Sequence, residues 1–217
     1  MEQEKIKTRL RFRKVGAAAF ISHLDLMRTL GRALSRAEIP AAKTNGFNPH
    51  AYISIPCALS LGYEGTREMA EIGLPPDYDP AEIPARINPV LPQGIMVTDA
   101  YPIAEKSAAI AFAEYDLFLE RGKEGGERAA ELLGISPLIV LKKSKRREEE
   151  TDIAPLIRRI EPEGYGFRAT VACSASENLN PRLLLEALKK LAPGEDFRVT
   201  MIRRGRFFNQ KAEEEFL

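Results

Sequence analysis

The sequence is poor in the residues that usually carry chemistry. Its 217 residues include two histidines, two cysteines and no tryptophan. Cys57 and Cys173 stand far apart and form no CxxC pair, and with His23 and His50 they make no recognisable zinc set. A CxxxCxxC triplet for an iron–sulfur cluster is missing. No cofactor or metal is therefore expected in this chain, and any radical chemistry must come from another one. Neither GxGxxG nor GxxxxGK[ST] occurs, which disfavours nucleotide-dependent catalysis, and no GxSxG elbow supports acyl transfer. No stretch approaches the roughly 18 apolar residues of a membrane span. The opening MEQEKIKTRLRFRK is charged, with no apolar signal core after it. A cytoplasmic location and no membrane partner are expected.

What is present suffices for a core: 44% of the residues are hydrophobic, enough for one large domain or two of about 100 residues each. The net charge of +1 conceals an uneven distribution. Residues 1–55 carry ten basic side chains (Lys5, Lys7, Arg9, Arg11, Arg13, Lys14, Arg28, Arg32, Arg36, Lys43) against four acidic (Glu2, Glu4, Asp25, Glu38). Residues 56–105 reverse this, with Arg67 and Arg86 against eight carboxylates. The asymmetry fits a positive face aimed at a polyanion, and equally two halves that neutralise each other on packing.

Lys7 to Phe12 alternates, with Leu10 and Phe12 on one side and Arg9, Arg11 and Arg13 on the other, which predicts a strand with a solvated basic face. Ser22 begins SHLD, a capping-box-like helix start with Asp25 in place of the usual Glu. Leu26, Leu30, Ala33, Leu34 and Ala37 then recur at helical spacing, while Arg28, Arg32 and Arg36 mark another face. Gly31 weakens this helix and suggests a close backbone approach, and Pro40 is expected to stop it. Strands are predicted over 51–55, 68–74 and 94–100, with a short helix over 80–90. The pattern recurs after Lys106: a strand over 110–120, a helix over 126–133, and a strand from Leu138 that the charged run Lys142–Glu150 interrupts and Ile153–Ile160 continues. A strand over 167–173, a helix with Asn180 as N-cap and Pro181 at its first position, and a strand over 197–202 complete it. The reading is α+β: two ferredoxin-like β-α-β-β-α-β domains in tandem, residues 1–105 and 106–217, with antiparallel sheets and helices on one face.

Functional side chains are expected chiefly between Phe20 and Gly65. His23, at the helix start, could act as a general base toward a ribose 2′-hydroxyl, or be a polar helix-start residue bonded to nearby backbone. Gly46 is expected at positive φ, and Pro49 stiffens the turn that leads to His50. Asn45, Asn48 and His50 could read a base edge or hold a phosphate, or merely cap their own backbone. Arg28, Arg32, Arg36 and Lys43, with Arg9, Arg11 and Arg13, could bind phosphates. Phe12, Phe20, Phe47 and Tyr52 lie nearby for stacking, although most of them alternate onto the expected core side. The run Lys142–Arg147 against Glu148–Glu150 reads as a solvated hairpin whose arms pair across the turn. Arg198, Arg203, Arg204 and Arg206 with Phe207 and Phe208 fit RNA contact or a protein-docking edge.

The strings Phe20-Ile21-Ser22-His23-Leu24-Asp25, Gly46-Phe47-Asn48-Pro49-His50 and Leu59-x-Leu61-Gly62 resemble an uncharacterised bacterial family of radical SAM-linked proteins. In that family the domain of unknown function occurs alone or fused behind a radical SAM protein. The resemblance implies partnership with a radical SAM enzyme and, by association, RNA-related work. It leads to a non-catalytic accessory that binds structured RNA or presents substrate, with His23, Arg28, Arg32, Arg36, Lys43, Asn45, Phe47, Asn48 and His50 as binding residues. The tandem layout is also similar to CRISPR-repeat-processing endoribonucleases, some of which carry a catalytic histidine early in the first helix. A metal-independent endoribonuclease using His23, with Arg28 or Lys43 stabilising the transition state, is thus one alternative. A protein-docking module without RNA binding is the other.

Overall fold

The computed structural model of the protein describes residues 5–45, 47–143, 148–210 and 215–216. It is a mixed α+β structure with four α-helices and antiparallel strand pairing, divided into two compact units, Met1–Ser107 and Ala108–Leu217.

In the first unit the alternation of Leu10 and Phe12 with arginines does form a strand, β1 (Ile6–Lys14). Helix α1 (His23–Arg36) follows, then β2 (Ile53–Ser54), β3 (Glu64–Leu74), α2 (Ile83–Ile87) and β4 (Ile95–Pro102). The strands lie in the order β4-β1-β3-β2, each antiparallel to its neighbour. Leu10 and Phe12 share one apolar cluster with Leu26, Leu30 and Leu34 of α1, Ile83 and Ile87 of α2, and Ile72 and Val97 of the sheet. Each fully buried aliphatic side chain in such a cluster contributes roughly 1.5–3 kcal/mol. The predicted helix over 80–90 is broken into a 3-10 turn (Pro80–Glu82), α2 and a second 3-10 turn (Asn88–Val90). Pro80, Pro84 and Pro89 withhold the amide donors that one continuous helix would need.

Two details of α1 depart from expectation. The helix ends before Pro40, in a Schellman turn: Ile39 N–H donates to the Leu34 carbonyl (3.0 Å) and Glu38 N–H to that of Ser35 (3.2 Å). Glu38 takes the left-handed position at φ 53°, where glycine is usual. Gly31 is not demanded by a close approach, since a Cβ there would meet Ile53 Cδ1 at an ordinary 3.8 Å.

The opposite face of β1 is not the solvated basic surface that charge patterning predicts. Arg9 is fully buried; its guanidinium pairs with Glu71 of β3 (3.0 Å) and donates to the Glu105 carbonyl (2.8 Å). Half-buried Arg11 lies 5.9 Å from the centre of the Tyr101 ring. Lys14, which shares the side of Leu10 and Phe12, is buried with its Nζ donating to the Ala19 carbonyl (3.0 Å). Of the three arginines on the opposite face Arg13 alone is exposed, with Lys7 at the start of the strand.

The second unit runs β5 (Phe112–Leu119), α3 (Gly122–Leu133), β6 (Ile139–Lys143), β7 (Glu148–Asp152), β8 (Ile157–Glu163), β9 (Gly166–Ala172), α4 (Arg182–Leu191) and β10 (Val199–Phe208). Its main sheet has the order β10-β5-β9-β8, again antiparallel throughout. The segment expected to be one interrupted strand splits. β6 and β7 pair with each other as a separate hairpin, while β8 joins the main sheet. In that hairpin's backbone register Lys142 is opposite Glu149 and Lys143 opposite Glu148. Residues 144–147 of the basic run lie outside the described residues. Helix α3 packs on β8 and β9 so closely that a Cβ on Gly126 would sit 1.6 Å from the Gly166 carbonyl oxygen. Helix α4 starts one residue later than predicted, yet Asn180 still accepts a hydrogen bond from the Arg182 N–H (3.0 Å) through its Oδ1.

Candidate functional site

The first turn of α1 is organised by Ser22. Its hydroxyl accepts from the Asp25 N–H (3.1 Å) and donates to Asp25 Oδ2 (2.7 Å), and Arg28 donates to Oδ1 (3.2 Å). This is a capping box closed through the hydroxyl rather than through the N-cap amide. The Ser22 hydrogen bond, followed by that from Arg28, holds the Asp25 carboxyl below its ordinary range. Arg28 is therefore partly neutralised. Arg32 and Arg36 are exposed and have no ion-pair partner among the described residues, and the same holds for Lys43. His23 occupies the first helical position, exposed and without a hydrogen-bond partner among the described residues. Helical spacing puts Leu24, Arg28 and Arg32 on the stripe that flanks Gly31, the residue facing Ile53 of β2.

The second element is the excursion between α1 and β2. The Ala42 N–H donates to the Gly73 carbonyl and the Tyr52 N–H to that of Ala42, and Lys43 bridges Ala51, so the segment is anchored on β3. Further out, the Thr44 N–H donates to the His50 carbonyl (2.8 Å), and the His50 N–H to Thr44 Oγ1 (3.2 Å). His50 Nδ1 lies 3.1 Å from the Asn48 carbonyl oxygen and 3.2 Å from Thr44 Oγ1. A carbonyl can only accept, so Nδ1 carries the proton in that contact and Nε2 keeps its lone pair in the neutral ring. Nε2 has no partner among the described residues. Asn45, Phe47 and Asn48 are exposed, and Gly46, expected at positive φ, lies outside the described residues.

The third element is the turn carrying Leu59-x-Leu61-Gly62. Gly62, at φ +81°, donates its N–H to the Ala19 carbonyl (2.9 Å), and a Cβ added to it would lie 3.7 Å from the Phe20 ring. Leu61 and Phe20 are both exposed. The expectation that most aromatics near the basic residues turn into the core is corrected. Phe12 does, but Phe20 is 73% exposed, Tyr52 56% and Phe47 completely. The alternation that buries Phe12 belongs to β1 alone. Phe20 ends a 3-10 turn, while Phe47 and Tyr52 lie outside any strand.

The C-terminal arginines are placed differently from expectation. Arg204 is buried between aromatic rings, 4.8 Å from the centre of Phe207 and 6.0 Å from that of Tyr115. Arg206 makes a bidentate pair with Glu114 (3.2 and 2.7 Å), Arg203 lies over Phe118, and Arg198 pairs with Glu120 and Asp196. They adjoin a network that motif reading missed. Arg168 bonds Asp116 (2.8 Å), Glu163 (3.3 Å) and the Tyr165 hydroxyl (3.0 Å), and that hydroxyl donates to Asp116. Burial and the Asp116 carboxylate push the Tyr165 phenol well above its usual range. The sequence signal was the alternation of Glu114 and Asp116 with apolar residues along β5; Arg168 comes opposite Asp116 only through the register with β9. Its charges are mutually satisfied, which suits a cross-strand clamp rather than a ligand site.

Among the described residues there is no group of three or more His, Cys, Asp or Glu side chains arranged to hold a metal ion, and no helix is long and apolar enough to cross a membrane. Residues 7–181 match a family model described as an uncharacterised protein conserved in bacteria. No curated protein matches the chain.

Proposed function

The chain belongs to that bacterial family, DUF2344, and within it we propose the role of a non-catalytic, RNA-binding or substrate-presenting accessory to a radical SAM enzyme. The observation that carries the RNA part is the exposure of Phe20, Phe47 and Tyr52 in the same third of the chain as Arg32, Arg36 and Lys43, exposed cations with no ion-pair partner among the described residues. Water-exposed rings are individually unfavourable, and rings interleaved with free cations are what base stacking and phosphate neutralisation require. The radical SAM partnership rests on the resemblance carried by the FISHLD, GFNPH and Leu59-x-Leu61-Gly62 motifs. A cytoplasmic setting goes with that partnership. In the same reading each unit is a ferredoxin-like domain, the second with the β6–β7 hairpin inserted, since both have the strand order fourth-first-third-second of that pattern.

The endoribonuclease alternative draws less support. A general base is ordinarily oriented by a further group, and His23 has none among the described residues, while Arg28 is tied to Asp25. Equilibrium binding of bulk cellular RNA across a salt series tests the proposal. The logarithm of affinity should fall linearly with that of salt, and R32Q, R36Q and K43Q should each reduce the slope by about one. Absence of binding at low salt with the radical SAM partner present would remove the RNA role. A partner complex that survives nuclease would then favour protein docking.

A further inference from the structure

We propose that Phe47, His50 and Tyr52 form a reader of unpaired nucleobases, so that the protein takes single-stranded RNA in preference to duplex. This rests on the RNA-binding reading above and narrows its ligand. The argument starts at His50. Its Nδ1–H is engaged by the Asn48 carbonyl and Thr44 Oγ1, and its backbone N–H by the same hydroxyl, so ring orientation and tautomer are both fixed. In the neutral ring this leaves Nε2 as an acceptor, on an exposed residue and with no partner among the described residues. Every RNA base carries an N–H donor on its Watson–Crick edge: N6 of adenine, N4 of cytosine, N1 of guanine, N3 of uracil. Base pairing occupies that edge in a duplex, and the second amino hydrogens of adenine and cytosine then lie in the deep, narrow major groove of A-form RNA, out of reach of a side chain. A fixed acceptor beside a stacking ring therefore meets a Watson–Crick donor in an unpaired base, whichever base it is.

Two rings lie close in sequence to this acceptor: Phe47 is fully exposed, and Tyr52 more than half. An aromatic face is available to a base only after the base leaves its own stack, which again selects single strands. Charge favours a polyanion over an apolar protein segment as the occupant. Between Glu38 and Glu64 the chain has no acidic residue, and Lys43 stands exposed at the base of the excursion. The bridge from Lys43 to Ala51 and the anchoring of Ala42 on Gly73 hold the group on the sheet.

Fluorescence anisotropy on the full chain tests this with a labelled short mixed-sequence RNA, as a single strand and annealed to its complement, at one salt concentration. The single strand should bind about tenfold or more tighter. F47L should weaken single-strand binding by about ten- to a hundred-fold and leave duplex binding nearly unchanged, while F47Y should restore it. Because Phe47 is fully exposed, these variants keep the fold. Equal affinity for both forms, with F47L neutral and R32Q weakening both, would overturn the unpaired-base reader while leaving RNA binding intact. No binding of either form, with a nuclease-resistant protein complex instead, would overturn both.

Discussion

Arg9 and Glu71 face each other across β1 and β3, 3.0 Å apart, with the guanidinium fully buried and the carboxylate half-buried. Such a pair is costly to break one-sidedly, because the surviving charge stays in a poorly solvated site. E71A should therefore destabilise the first unit by about 3 kcal/mol, whereas R9M, which removes the buried charge itself, should cost much less. Denaturant unfolding followed by circular dichroism distinguishes these outcomes. Equal small effects would mean that the pair is solvated.

Gly126 has no room for a methyl group against the Gly166 carbonyl, which is rigid backbone at φ 146°. G126A should destabilise the second unit by about 3 kcal/mol or more. G164A, in open space, should be silent. Limited proteolysis, reading cleavage in each unit separately, is the check.

Two substitutions should stabilise α1. G31A should add about 0.5–1 kcal/mol through helix propensity, its new Cβ meeting Ile53 at contact distance. E38G should relieve the left-handed strain of the Schellman turn by about 0.5–1 kcal/mol after the entropy cost of glycine. A rise in thermal midpoint for each, roughly additive because the sites are separated along the helix, is expected.

The N-terminal turn of α1 should weaken in acid. The Asp25 pKa is depressed in the folded state, so its stabilisation is fully present above the ordinary carboxylate pKa and is lost as pH falls through the depressed folded value. A carboxyl-detected NMR titration of Asp25 should give a midpoint below the ordinary one, and S22A should raise it toward normal. S22A should also cost about 1 kcal/mol as a lost N-cap at neutral pH. An unshifted midpoint in wild type would contradict this account of the cap.

The alternation of Leu10 and Phe12, the Ser22 cap and the leucine spacing of α1 were legible because they follow from local periodicity. Arg9 and Arg11 were misread for the opposite reason. Nothing local distinguishes a solvated arginine from one covered by partners such as Glu71 and Tyr101, more than sixty residues away in sequence. The same limit hid the Arg168–Asp116 and Arg206–Glu114 pairs, whose members meet only once β9, β5 and β10 are aligned. At the candidate site the outward turn of Phe20, Phe47 and Tyr52 was not legible, since they sit in irregular backbone where strand alternation does not apply.

We propose that this surface meets RNA. The most direct test is ultraviolet crosslinking in the native cells, capture of the tagged protein under denaturing conditions, and sequencing of the attached RNA. The account predicts a discrete RNA population that is lost when Arg32, Arg36 and Lys43 are changed together to Glu, with crosslinks mapping to Phe47 or Tyr52. Recovery no greater than from an untagged strain, or a population unchanged by that triple substitution, would contradict it.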